Sequence, residues 1–252
     1  MLKRIVIAAV LALFSSQVFA KGVAEEAFPK FKWIDANAYQ ADGSRFGYVA
    51  SSFTVVGKPC HKLPKKDVCY VANNDLDFTL IGRYKSDSMK DPVNILYSPG
   101  ASMDPTFRIT DAKNNVIWEH FVEELAIDGR GVIYTSGNIN HMFNMRGKFK
   151  LADGKVTEVK QPFLYVGVLG KMLKPAKLYS AKTGGDVVAS LPVGYEVEVL
   201  LAEDYQKFGN DVVQPRAFLV RTKFCLVGWL ILSEADATHF DPIIKGLGYM
   251  GD

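Results

Sequence analysis

The sequence predicts a mostly β protein with two β-rich units: an irregular sheet or sandwich over residues 21–173, and a smaller unit over residues 174–233 followed by a tail, 234–252. Four observations carry this. Short runs of β-branched and aromatic residues recur along the chain, a composition that suits a pleated, half-buried surface. Polar turn signals separate these runs. Helical spacing surfaces in one short segment, and the chain is longer than one small domain usually is.

The first element reads as a secretory leader, residues 1–20. Lys3 and Arg4 precede an apolar run over 5–14, and Val18-Phe19-Ala20 presents small residues where a signal peptidase reads, so cleavage is expected between Ala20 and Lys21. The run is too short for a membrane-spanning helix, which needs roughly 20 residues. No later stretch is long and apolar enough to span. Lys21 offers no thiol for lipid attachment. A periplasmic or secreted protein without a transmembrane segment after cleavage follows as the expectation. Cleavage removes Lys3 and Arg4 and no acid, taking the formal charge from +3 to +1. A nearly neutral chain argues against nucleic acid or an anionic membrane as the main partner.

In the first unit, residues 47–56, 76–84 and 93–97 read as strands. Residues 107–110 and 116–118 flank the turn Asp111-Ala112-Lys113-Asn114-Asn115, and residues 148–151 and 156–159 flank Ala152-Asp153-Gly154-Lys155. Both read as hairpins, the Asp-Gly turn more firmly because glycine enters positive φ without a steric penalty. Residues 129–135 read as a tight turn feeding a strand. Trp118, Phe121, Val122 and Leu125 fall at helical spacing and predict a short helix over 118–126. Residues 163–168 form another strand, and Lys171-Met172-Leu173-Lys174-Pro175 is the expected linker, with a boundary near 173.

Three cysteines follow the leader: Cys60, Cys69 and Cys225. In an oxidising compartment Cys60 and Cys69 are the natural disulfide pair, closing the loop between them. A metal site of Cys60, His61 and Cys69 is the rival reading, but it lacks the usual spacing and a fourth ligand. Cys225, in Phe224-Cys225-Leu226-Val227, is expected as a buried thiol in a strand.

In the second unit, Val197, Val199 and Leu201 alternate with Glu196, Glu198 and Leu200, as in a strand with one face on a core. Gly194 marks a turn, and Trp229 is large enough to cover one end of a small barrel. Leu178-Tyr179, Val187-Val188-Ala189-Ser190-Leu191, Gly194, Val197-Glu198-Val199-Leu200, Phe218-Leu219-Val220-Arg221-Thr222 and Gly228-Trp229-Leu230 occur in the order of the strands of the bacterial SH3-like (SH3b) family. Residues 176–233 resemble that family, which implies a small SH3-like β-barrel. Two departures bear on its ligand groove: Lys223-Phe224-Cys225-Leu226 replaces a short polar turn, and the stretch 202–216 is longer than usual. The first unit and the apolar tail are similar to exported proteins that end in an SH3-like domain, which implies a tail packed on the body.

SH3-like modules accompany enzymes that cut cell-wall peptides, so a hydrolase or amidase is one reading. No His-Glu-x-x-His, Gly-x-Ser-x-Gly or Ser-x-x-Lys stands in a suitable context. His120 with Glu123 and Glu124 could share a proton or metal on a helix, although a solvated helix face explains them as well. Asn138, Asn140 and His141 mark a polar loop where a small site could form. Asn73, Asn74, Asp75 and Asp77 lack the glycine and distal glutamate of a calcium loop. Tyr134, Phe143, Phe163 and Tyr165 could stack on sugars or serve as core.

The expected function is therefore non-catalytic binding in the cell envelope, with a cell-wall peptide or glycan or an envelope protein as partner, and with no metal or other cofactor. Tyr179, Trp229, Asn138, Asn140 and His141 are the candidate ligand-binding residues. An inhibitor of a secreted toxin is the third reading.

Overall fold

The structure, a computed structural model, describes residues 23–37, 42–56, 70–72, 77–100, 102, 104–208, 212–233, 236 and 241–251. Among the described residues the chain is mostly β, with one short helix, α1 (Val23–Ala27). One six-stranded sheet runs in the order β1 (Lys32–Asp35), β2 (Arg45–Tyr48), β9 (Glu124–Ile127), β10 (Val132–Gly137), β11 (Met145–Ala152) and β12 (Lys155–Glu158). Its β2–β9 pairing is parallel. A second six-stranded sheet contains β3 (Phe53–Val55), β5 (Asp77–Tyr84), β6 (Val93–Ser98), β7 (Thr106–Thr110) and β8 (Val116–Phe121), with β4 (Tyr70–Ala72) paired to β5.

These two sheets share a core to which Phe46, Leu125, Ile127 and Ile133 come from one, and Tyr84, Ile95, Tyr97, Phe107 and Ile109 from the other. Phe46 lies 4.8 Å from Phe53 and 6.4 Å from Phe107, ring centroid to centroid. Tyr84 donates its hydroxyl hydrogen to the Asp128 carbonyl, and Tyr97 donates to Asp42, so these buried phenols keep hydrogen-bond partners.

The third sheet has seven strands and curls into a half-barrel. Its order is β15 (Gly184–Leu191), β14 (Ala176–Ala181), β20 (Val227–Ile231), β19 (Ala217–Thr222), β16 (Glu196–Ala202), β13 (Leu164–Met172) and β21 (Ile244–Lys245). The longer stretch after β16 forms a hairpin, β17 (Tyr205–Phe208) with β18 (Val212–Pro215). Leu178, Val197, Val199, Phe218, Val220 and Leu230 fill the concave side, joined by Met142 and Phe143 from the polar loop and by Ile243, Ile244 and Leu247 from the tail.

Both predicted hairpins form, β7–β8 and β11–β12. At the second turn Asp153 and Gly154 have φ of 51° and 70°, the paired left-handed conformation of a tight hairpin turn. Other expectations change. The helix over 118–126 is absent: residues 116–121 are β8 and residues 124–127 are β9, in different sheets. The chain crosses between the sheets at Val122 and Glu123, where Val122 N–H bonds to Pro105 O and Glu123 O accepts from Arg45 N–H. The crossing slips the two-residue alternation by a step, and the slip imitates helical spacing. Residues 47–56 break in the same way, because Ser52 turns back on the Val49 carbonyl and β3 joins the other sheet. Lys171 and Met172, expected in a linker, are the end of β13: Lys171 pairs with Glu196 of β16 and Lys245 of β21, and Met172 with Ile244 of β21.

Cys225 is exposed, not buried in a strand. It occupies the β19–β20 turn with φ of 63°, its N–H bonded to Thr222 O at 2.9 Å. The positive φ closes the turn and leaves the side chain in solvent. Cys225 in the folded protein is therefore expected to react with a maleimide at a rate close to that in denaturant, as read by peptide mass. Labelling that requires denaturant would contradict this placement. Cys60 and Cys69 lie outside the described residues, as do Asn73, Asn74 and Asp75, while Asp77 opens β5.

Candidate functional site

The face of the first sheet that turns away from its core carries two rows of side chains. Strand register places Trp33, Gly47, Ala126, Tyr134 and Lys148 in one row, and Asp35, Arg45, Glu124, Ser136 and Arg146 in the next. A Cβ on Gly47 would meet the Trp33 indole at 2.9 Å, so the indole lies directly on the glycine. Glycine within a strand often marks such a close approach. The Arg45 guanidinium sits 4.8 Å from the Trp33 ring centre. On the far side of Ala126, Tyr134 packs in a tilted arrangement against Phe28, 4.7 Å between ring centroids.

Between these aromatics opens a cleft of about 500 Å³, bordered by Ala24 and Ala27 of α1. Its polar edge comes from Glu123, Glu124, Ser136, Asn138, Asn144 and Arg146. The Glu123 carboxylate accepts from Asn138 N–H at 2.9 Å and lies against Gly137, where a side chain would displace it. Ser136 donates to Asn144 Oδ1 at 2.9 Å. Arg45 stands 3.2 Å from Glu25 and 3.5 Å from Glu124. Burial pushes both the Glu123 and Glu124 carboxyls up from their ordinary range, partly offset at Glu123 by backbone N–H bonds and at Glu124 by the Arg45 charge. Trp33 Nε1 is a buried donor without a hydrogen-bond partner among the described residues, whereas the buried Arg45 Nε and Nη2 face Glu124 and Glu25 as ion pairs.

A smaller cavity of about 210 Å³ shares Thr135, Arg146 and Gly147 with the cleft and contains His120 and His141. His120 packs 5.2 Å from Trp118 and 5.3 Å from Phe149. Burial, reinforced by the nearby His141 charge, pushes its imidazole down to about 4. The His141 ring packs in a tilted arrangement 4.9 Å from that of Tyr205, and burial lowers the His141 imidazole too. Its Nδ1 is buried without a partner among the described residues.

The tail pins the loop that carries His141. Asn140, with φ of 59°, donates its N–H to Met250 O at 2.6 Å, Met250 N–H returns to His141 O at 3.1 Å, and Tyr249 donates to Asn140 Oδ1 at 3.2 Å. The fold thus brings together what the sequence offered as two separate groups: Glu123 meets Asn138, and His120 meets His141. The supposed helical pair of His120 and Glu124 does not exist, since they lie in different sheets.

Tyr179 and Trp229 are register partners on the outer side of the half-barrel, half-buried, while the neighbouring pair Leu178 and Leu230 fills its core. The Trp229 ring lies 5.8 Å from Phe163, with Lys182 Nζ 5.8 Å from the Trp229 ring centre. Phe28, Trp33 and Arg146 are cleft residues that sequence reasoning missed, while Asn144 ends the polar loop it singled out. Gly47 in a strand was the available signal for Trp33. Among the described residues no cluster of three or more His, Cys, Asp or Glu could hold a metal ion, and no helix is long and apolar enough to cross a membrane. No family model, no curated protein and no solved structure matches the chain.

Proposed function

We propose that this is an exported, non-catalytic binding protein of the cell envelope that holds a peptidoglycan fragment in the cleft beside α1. The carrying observation is the Ala126 floor between the Trp33 and Tyr134–Phe28 aromatics. Aromatic faces stack on sugar rings, and the Asn138, Asn144 and Arg146 groups at the edge suit amide and carboxylate groups of a cell-wall peptide. The orphaned Trp33 indole N–H favours a ligand with an acceptor oxygen. Glu123 is committed to a backbone N–H and Glu124 to Arg45, which favours binding over proton transfer. The SH3-like reading of residues 176–233 and the periplasmic or secreted location remain part of this proposal, resting on the strand order and the leader.

A second reading has one observation behind it. The raised Glu123 and Glu124 carboxyls border a cleft, as a general acid of a cell-wall hydrolase would. Incubation with purified peptidoglycan separates the two. The binding reading expects the protein to sediment with intact sacculi, no soluble fragments to appear, and Tyr134→Ala to weaken retention about tenfold, the order of effect of losing one aromatic anchor. Release of fragments that Glu123→Gln abolishes would establish the hydrolase instead.

A further inference from the structure

The outer face of the half-barrel carries a second, separate cleft, of about 640 Å³. Strand register orders its side chains in two rows. Leu169, Glu198, Arg221 and Val227 form the first, and Lys245, Lys171 and Glu196 the second, which Lys223 extends by its contact with Glu196. The first row has apolar ends around the Arg221–Glu198 ion pair. Leu169 is 80% exposed, and the turn at the other end exposes Phe224 to 83%, together with Leu226 and Val227. Apolar side chains this exposed, grouped around a cleft, mark an interaction surface more often than chance.

The second row is cationic. Lys171 and Lys223 share the single carboxylate of Glu196, at 3.3 Å and 2.6 Å, and Lys245 has no ion-pair partner among the described residues. Four cations, Lys171, Arg221, Lys223 and Lys245, line the cleft against two carboxylates, Glu196 and Glu198, leaving an excess of two positive charges. Exposed pairs of this kind exchange partners at little cost.

We infer that this cleft docks an extended acidic segment of a partner protein, running across the strands. Leu169 and Val227 lie three strand spacings apart, about 14 Å, and an extended chain covers about 13 Å in four residues. Apolar anchors at positions i and i+4 reach the two ends of the first row. In an extended chain the residues at i+1 and i+3 point the other way, toward the lysine row, and acidic side chains there meet the excess charge. The residue at i+2 faces the Arg221–Glu198 pair and is polar. A concave cleft with its apolar groups split between two ends suits a chain better than a flat lipid surface.

The test uses the full chain and a fluorescein-labelled twelve-residue Gly/Ser peptide with Leu-Asp-Ser-Asp-Leu at its centre, followed by fluorescence polarisation. A peptide with Lys in place of both Asp residues is the comparison. The aspartyl peptide is expected to bind at least tenfold more tightly than the lysyl one. The double variant Lys171→Glu with Lys223→Glu is expected to erase or reverse that preference. Leu169→Ser, at a largely exposed site, is expected to weaken binding several-fold with an unchanged thermal melt. Equal binding of the two peptides, no binding of the aspartyl peptide, or binding indifferent to both variants would overturn the inference. So would capture on phosphatidylglycerol vesicles in the absence of peptide binding, which would assign the surface to a membrane.

Discussion

Acidification from pH 7 to 4 is expected to lower the unfolding free energy by about 3 kcal/mol through His120 alone, since its imidazole falls from 6.5 to about 4 on folding and each unit is worth about 1.4 kcal/mol. The sign follows from proton counting. Between these two values the unfolded chain binds a proton that the folded chain rejects, so stability rises with pH across that window. Stability is complete above pH 6.5 and is lost as the pH falls toward 4. His141 adds to the loss, because burial lowers it as well and its charge opposes that of His120.

The surrounding ionisable groups temper the effect. Glu158 and Asp204 line the same cavity with Arg146 and Lys160. Glu123 and Glu124 are raised on folding, so their contribution is present at low pH and fades as the pH rises through their folded values, opposite to the histidines. His120→Phe keeps a ring between Trp118 and Phe149 and removes the titration. Its unfolding free energy should change much less between pH 7 and 4 than that of the parent protein, as measured by urea denaturation. An equally steep loss in the variant would show that His120 is not the source.

Phe46→Ala should cost about 3–5 kcal/mol, the range for deleting a fully buried phenylalanine. Phe46 projects from β2 into the shared core of the first two sheets, against Phe53, Tyr48 and Phe107. Its deletion leaves a cavity between rigid sheets that cannot close over it. Chemical denaturation should show a lower midpoint at an unchanged slope. A loss below about 1 kcal/mol would mean that the two sheets do not pack as described.

The parts of this fold that were legible in the sequence are the local ones. Asp153-Gly154 announces its hairpin because few residues adopt consecutive positive φ values. The strand around Val197 announces itself by the alternation of Val197 and Val199 with Glu196 and Glu198, until an irregularity after Val199 puts Ala202 rather than the expected Leu201 in the core. Sheet crossings were not legible. At Val122–Glu123 and at Val49–Ser52 the alternation changes phase as the chain passes from one sheet to another, and a local pattern cannot distinguish that from a helix or from one long strand. Met172 shows a similar limit, since charged and proline-flanked residues beside it looked like a linker while its own side chain is buried in the half-barrel core.

The candidate site was legible only in fragments. Asn138 and His141 could be singled out as polar groups in a loop, and Glu123 and His120 as titratable neighbours. Their meeting depends on the pairing of β9 with β10, which returns Asn138 to Glu123, and on the tail, whose Tyr249 lies 109 residues beyond Asn140. The cleft rows draw on five strands with a parallel step between β2 and β9. Pairing over such distances leaves almost no trace in local spacing. Gly47 is the exception, a glycine within a strand that announces an indole lying on it.

The indole N–H resonances of the three tryptophans, Trp33, Trp118 and Trp229, offer the most direct test of where ligand binds. Titration of the folded protein with soluble peptidoglycan fragments should shift the Trp33 resonance, whose N–H lacks a hydrogen-bond partner among the described residues, and leave Trp229 in place. A shift of Trp229 with Trp33 unmoved would put binding on the half-barrel and contradict the cleft, as would a titration in which neither resonance moves.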